Sequence, residues 1–178
     1  PGVGDDGRGY GFSWVEGKDG IETRHSSFFT VSNRNKRSIT LNHSKPEGQE
    51  VIRKLVETAD VLIENYKVGD LKRFGLDYES LKAINPRLIY CSVTGFGQDG
   101  PMAARPGYDG LFQATGGMMA VTGIPDGQPG AGPLKTGPSL VDFVTGHNTA
   151  LAIMGALMYR NQSGEGQYID IALLDSSV

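Results

Sequence analysis

The sequence predicts an α/β domain built on a mostly parallel sheet, and three observations predict it. Short apolar runs of strand composition recur at residues 60–64, 87–93 and 167–172. Stretches of helical spacing lie between them, and strands alternating with helices are the pattern of crossover-connected parallel pairs. Glycine- and proline-rich corners at 94–101 and 123–137 separate each element from the next. Strand order is not encoded in such a pattern.

The elements follow in order. Residues 1–26 are rich in glycine and charge without a clean period, and read as an extended segment that leans on a partner or ligand. Residues 27–178 form the folded domain. Arg37-Ser38-Ile39-Thr40-Leu41-Asn42 alternates like a strand. Ser44 ahead of Pro46, with Glu47 and Glu50 in the first turn, reads as a helix start. Val51, Leu55 and Ala59 then share an apolar face. The strand at 60–64 leads into a polar corner, Asn65-Tyr66-Lys67. Two brief helices are expected at 68–74 and 78–84, with Gly75 between them, and a further helix at 107–119. A long helix covers 139–160 and stops at Ser163-Gly164-Glu165-Gly166, before the last strand.

The totals exclude several functions. The 178 residues carry a net charge of −3, which gives no overall attraction to nucleic acid or to an anionic membrane. The closest approach to a membrane span, 140–158, is interrupted by Asp142, Thr145, His147, Asn148 and Thr149, so none is expected. The first residues have neither the basic flank nor the apolar block of a signal peptide. They also lack an initiator Met, so an upstream segment is expected, in a soluble cytoplasmic protein. The single cysteine, Cys91, lies inside an apolar strand and reads as packing rather than as a nucleophile. His25, His43 and His147 are scattered and suggest no metal site. His147 falls off the face that carries Asp142 and reads as structural. Gly95-Phe96-Gly97 lacks the third glycine of a dinucleotide fingerprint, and no Walker-type loop is present.

Two features carry chemistry. Arg34, Lys36, Arg37 and Lys67, with Lys72 and Arg73, make a local positive excess suited to phosphate groups, although solvated surface charge gives the same pattern. Asp142 stands in the first turn of the long apolar helix, where a carboxylate can cap backbone N–H groups. Ser139 already offers a cap, however, and apolar neighbours would strip water from the Asp142 carboxylate and leave it a better nucleophile. The residues alone leave both readings open.

A series of runs resembles the class III CoA-transferases, the family of formyl-CoA and carnitine CoA-transferases. They are residues 33–39 (Asn-Arg-Asn-Lys-Arg-Ser-Ile), 59–66 (Ala-Asp-Val-Leu-Ile-Glu-Asn-Tyr) and 92–97 (Ser-Val-Thr-Gly-Phe-Gly). Arg105-Pro106-Gly107-Tyr108-Asp109, Val141-Asp142 and Gly164-Glu165-Gly166-Gln167 complete the series. The likeness covers essentially the whole chain in family order. It implies a Rossmann-like mostly parallel sheet with flanking helices, belonging to a large domain, in an interlocked homodimer. It implies coenzyme A, carried as an acyl-CoA, and a small carboxylic acid as substrates, and no metal.

By the same resemblance Asp142 is the catalytic aspartate, which forms an aspartyl-CoA thioester. Arg37, Leu41, Asn65, Tyr66, Lys67 and Arg73 line the CoA nucleotide, and Arg105 stands near a family lysine. Family members run to about twice this length, so a fragment holding the nucleophile and most nucleotide contacts is expected. An α-methylacyl-CoA racemase is the enzyme alternative, with Tyr108 where that relay resembles a histidine. A non-catalytic CoA-binding fragment is the other.

Overall fold

Parallel pairing of three strands organises the larger of two units in this structure, a computed structural model that describes residues 4–11 and 13–178. Residues 1–42 cluster as one unit and residues 43–178 as the other.

In the first unit a 3-10 turn, Asp6–Gly9, is capped by the Asp5 carboxylate, which accepts from the Gly7 N–H at 2.8 Å. Strands β1 (Trp14–Glu16) and β2 (Glu22–Ser26) pair antiparallel, and helix α1 (Ser27–Ser32) follows. Buried Ser26 ties these pieces together: its hydroxyl accepts from the Phe29 N–H at 3.0 Å and donates to the Gly7 carbonyl at 2.7 Å. The opening stretch, expected to be extended throughout, therefore carries a hairpin whose strands are too short to show a period. Pro1 to Val3 and Phe12 of that stretch lie outside the described residues. Residues 37–42, expected as a strand from their alternation, form no ladder among the described residues. Alternation marks which side chains could share a face, but a strand exists only against a partner edge.

The second unit opens with α2 (Pro46–Val56), with Pro46 in its first turn and Glu47 beside it, where the dipole favours an acid. Strands β3 (Val61–Glu64), β4 (Ile89–Thr94) and β5 (Tyr168–Ala172) form a parallel sheet in the order β3-β4-β5. β4 is the central strand and is buried almost throughout, which is why its sequence is a run of apolar and small residues rather than an alternation. The first crossover holds a 3-10 turn, Lys72–Phe74, and α3 (Tyr78–Lys82). The second holds α4 (Asp109–Thr115), α5 (Met118–Val121) and α6 (Leu140–Ser163). The helix expected over 107–119 is thus two pieces, because Gly116 and Gly117 interrupt it and Gly117 takes φ 85°.

One core cluster, Val56, Leu76, Leu81, Leu88 and Tyr90, joins α2 and α3 to the sheet. α6 packs against β4, β5 and α4. Its buried positions, Val141, Thr145, Thr149, Ala156 and Arg160, recur at helical spacing. The two threonines satisfy their hydroxyls on the carbonyls four residues back, at 2.7 and 2.8 Å. Gly164, left-handed at φ 81°, ends the helix. Contrary to the expectation that no segment qualifies, α6 is long and apolar enough, by length and composition alone, to cross a membrane. Its interrupting polar residues are too few to fail that test, and here the helix lies on the sheet.

Arg160 fastens α6 to the amino ends of the sheet. Its guanidinium donates to the Asp60 carboxylate at 2.8 Å and to the carbonyls of Asp60 and Arg87 at 3.3 and 3.2 Å. The Arg160 side chain is 9% exposed but that of Asp60 is 77% exposed, so the solvated carboxylate contributes less than the two carbonyls left bare when arginine is lost. Arg160→Ala is expected to lower stability by about 2–3 kcal/mol. In thermal melts that is a fall of about 5–10 °C for a chain of this size.

Candidate functional site

The carboxyl ends of β3, β4 and β5 all open toward one cavity of about 830 Å3. Parallel sheets bind ligands at this edge, because the loops that leave the strands diverge there. Glu64 to Val68 enter from β3, Thr94 and Gly95 from β4, and Leu173 from beyond β5. The segment from Ala103 to Tyr108 makes one wall, and Asp142, Thr145, Gly146 and Thr149 of α6 make another. Phe112 packs beneath the wall, fully buried and edge-on to Phe96 at 5.1 Å. A Cβ on Gly107 would stand 2.5 Å from the Phe112 ring, so only glycine lets the wall come this close.

Of the residues singled out in the sequence, Asn65, Tyr66, Lys67, Arg105 and Asp142 all line this cavity. Tyr66 is braced edge-on by His43 at 5.2 Å. Among the described residues the side chains of Lys67 and Arg105 join no ion pair, which leaves two cations for an anionic ligand. Arg73 is not among the lining residues: it sits on the 3-10 turn, 3.5 Å from Asp70 and over the Phe74 ring at 4.7 Å. Arg37 and Leu41 belong to the first unit.

Capping at the start of α6 is done neither by Asp142 nor by Ser139. Ser139 occupies the N-cap position without a side-chain bond, contrary to expectation. Asp109 takes the role from α4: its Oδ1 accepts from the Val141 N–H at 2.8 Å and from the Asp142 N–H at 3.4 Å. Asp109 is itself buried and held. Gln113 Nε2 donates to its Oδ2 at 2.6 Å, and the Lys135 ammonium lies 3.6 Å from the same oxygen. Gln113 Oε1 in turn accepts from the Thr136 N–H at 2.9 Å, and Lys135 donates to the Thr136 carbonyl at 3.0 Å.

The Asp142 carboxylate is therefore spared. Among the described residues it accepts no hydrogen bond and joins no ion pair, and its side chain is open to the cavity. Burial pushes its carboxyl pKa up from the ordinary value of 3.8, the negative charge of Asp109 adds to this, and Lys135 pulls the other way. A more basic carboxylate is the more nucleophilic one. Sequence reasoning singled out Asp109 only as the last residue of the Arg105–Asp109 run, and missed its capping role and the support of Gln113 and Lys135. The available signal was an acid and an amide four residues apart on a short helix, directly after the Arg105–Tyr108 run.

The other titratable candidates are quieter. Cys91 is fully buried and burial pushes its thiol up to about 11, with Glu64 and Asp170 adding to the effect, which suits packing. His147 is exposed, and its Nδ1 lies 2.7 Å from the Phe143 carbonyl one turn back. Tyr108 stands at the cavity wall, 89% exposed. Among the described residues no cluster of three or more His, Cys, Asp or Glu side chains could hold a metal ion.

The family pattern described as CoA-transferase family III matches residues 1–178. The chain belongs to that family. Over 175 residues it is 50% identical to a succinate–glutarate CoA-transferase of Agrobacterium fabrum, covering 98% of this chain and 42% of that one. A succinyl-CoA:glutarate CoA-transferase of Homo sapiens is 40% identical, covering all of this chain and 38% of the other. Among solved structures, a CaiB/BaiF family protein from Brucella suis superimposes with a TM-score of 0.85 at 48% identity, over 97% of this chain and 44% of that one. The family III chain thus spans about two fifths of the length of these relatives, and its parallel sheet with flanking helices is the architecture it shares with the solved CaiB/BaiF protein.

Proposed function

We propose that the protein carrying this chain is a CoA-transferase that moves CoA from an acyl-CoA to a carboxylic acid, with Asp142 as the nucleophile. The observation that carries this reading is a carboxylate open to the cavity at the sheet's carboxyl edge, unbonded and made more basic, while Asp109 does the capping. An Asp142 oxygen attacks the thioester carbonyl, the C–S bond breaks, and a mixed anhydride and CoA thiolate result. The thiolate attacks the Asp142 carbonyl, releasing the donor acid as its carboxylate and leaving an aspartyl-CoA thioester. An incoming carboxylate repeats the two steps in reverse and leaves as the new CoA thioester. No net proton is exchanged. Splitting the transfer lets each step join a weak nucleophile to an activated acyl group of similar energy.

Lys67 and Arg105 supply charge for the CoA phosphates, and Asn65 and Tyr66, which share the cavity, are further nucleotide contacts of this reading. The acceptor is a short dicarboxylic acid, since relatives at 40–50% identity are named for succinate and glutarate. An interlocked homodimer in the cytoplasm completes the proposal. It is tested by incubating the intact protein with succinyl-CoA and then with hydroxylamine or borohydride. Peptide mass analysis is expected to show a hydroxamate or a reduced side chain at Asp142. Turnover with Asp142 unmodified would end the covalent account.

A further inference from the structure

Glu64 is the last residue of β3, and its carboxylate stands at the head of a chain of hydrogen bonds that crosses the whole sheet. The Tyr168 hydroxyl on β5 donates to Ser92 Oγ on β4 at 3.0 Å. The Ser92 hydroxyl donates in turn to Glu64 Oε1 in a short contact. The other oxygen, Oε2, accepts from the Tyr66 N–H at 2.7 Å. Register makes this chain possible, because Glu64 is paired with Ser92 along the β3–β4 ladder. Ser92 is buried, whereas Asn65, Tyr66 and Lys67 are exposed. An exposed corner is thus tied through one carboxylate to the buried middle of the sheet.

The placement is unfavourable for any electrostatic role toward an anion. Glu64 lines the same cavity as Lys67 and Arg105, and a negative charge there opposes the binding of phosphate. What it supplies is geometry: one rigid acceptor pair that sets the Tyr66 backbone, and with it where Asn65 and Lys67 point. We infer that Glu64 is a positioning residue for the CoA-binding corner, acting through the Tyr66 N–H rather than by contact with the ligand. The inference rests on the CoA-transferase reading above.

Geometry and charge make opposite demands on substitutions. Glu64→Gln keeps an acceptor for Tyr66 while its amide faces Ser92, whose hydroxyl can turn to accept, so the corner stays in place and the repulsive charge is gone. Glu64→Ala removes both bonds. In the intact protein, Glu64→Ala is expected to raise the KM for acyl-CoA about tenfold with kcat within about twofold, and Glu64→Gln to restore KM to wild-type or below. Calorimetry with CoA itself is expected to show the same order in Kd. A purely structural role would lower the melting temperature of both variants without this split. The inference is overturned if Glu64→Ala binds CoA like wild type, if Glu64→Gln loses as much affinity as Glu64→Ala, or if kcat falls together with affinity. Failure of the underlying reading looks different: wild-type protein then binds no CoA, or Asp142→Asn turns over normally while the Kd series still reports on Glu64.

Discussion

Asp142→Asn is expected to lower kcat at least about 10^3-fold while leaving the Kd for CoA within about threefold. The amide is nearly isosteric and the Val141 and Asp142 N–H groups keep their acceptor on Asp109, so the cavity and the start of α6 stay intact. Only the proposed nucleophile is lost. The same variant is expected to gain stability near neutral pH. Burial and Asp109 raise the Asp142 pKa in the folded state, so the native protein holds that proton more tightly than the unfolded chain does. The stability this contributes is present below the unfolded value and is lost as pH rises through the folded one. At pH 7 the ionised carboxylate is therefore a burden that Asn lacks, and at pH 3 the difference disappears. Melting curves of the two proteins at both pH values check the sign. A variant melting lower than wild type at pH 7 would mean that the Asp142 carboxylate holds structure together, as a capping residue does.

Why some of this was legible and some was not follows from the range of the interactions. β4 could be read from sequence because both its faces are covered, so burial alone selects Ile89 to Thr94. The end of α6 could be read because Gly164 marks a left-handed cap within one turn of the helix. The corner at Asn65–Lys67 was visible as polar residues after an apolar strand, and the parallel arrangement then places it at the cavity. Interactions between distant residues left no such trace. Asp109 caps a helix 32 residues further on, and Arg160 reaches back 100 residues to Asp60. No local spacing announces either. Residues 37–42 show the converse error: a period of two is a local property, whereas a ladder needs an edge elsewhere. Asp142 lay between these cases, since its position was local information but its freedom depends on a distant residue that takes over the cap.

Asp109 is for that reason the second residue whose loss is expected to be large. Asp109→Ala strips the buried Val141 N–H of its acceptor, leaves Gln113 Nε2 with only its long bond to the Pro138 carbonyl at 3.4 Å, and removes the anion facing Lys135. A bare buried donor costs about 1–3 kcal/mol. The first turn of α6, which carries Asp142, then loses its fixed start. Displacing a nucleophile by ~1 Å can lower a rate about 10^2-fold, and that is the fall in kcat expected for Asp109→Ala, with a lowered melting temperature.

Asp109→Asn separates position from charge. Its oxygen can still accept from Val141 and keep the start of α6 capped, although its NH2 then faces Gln113 Nε2 and Lys135 in place of an acceptor, and the negative charge that helps raise the Asp142 pKa is gone. On the proposed mechanism Asp142 must be ionised to attack, so activity is expected to fall as pH drops through its pKa. The acidic limb of kcat against pH is expected to move to lower pH in Asp109→Asn. In Lys135→Met it is expected to move to higher pH, because Lys135 is the group that lowers that pKa. Opposite shifts from two substitutions in one small network require that both charges act on the same titrating carboxylate. If the two limbs moved together or stayed still, the group controlling the rate would have to be something other than Asp142.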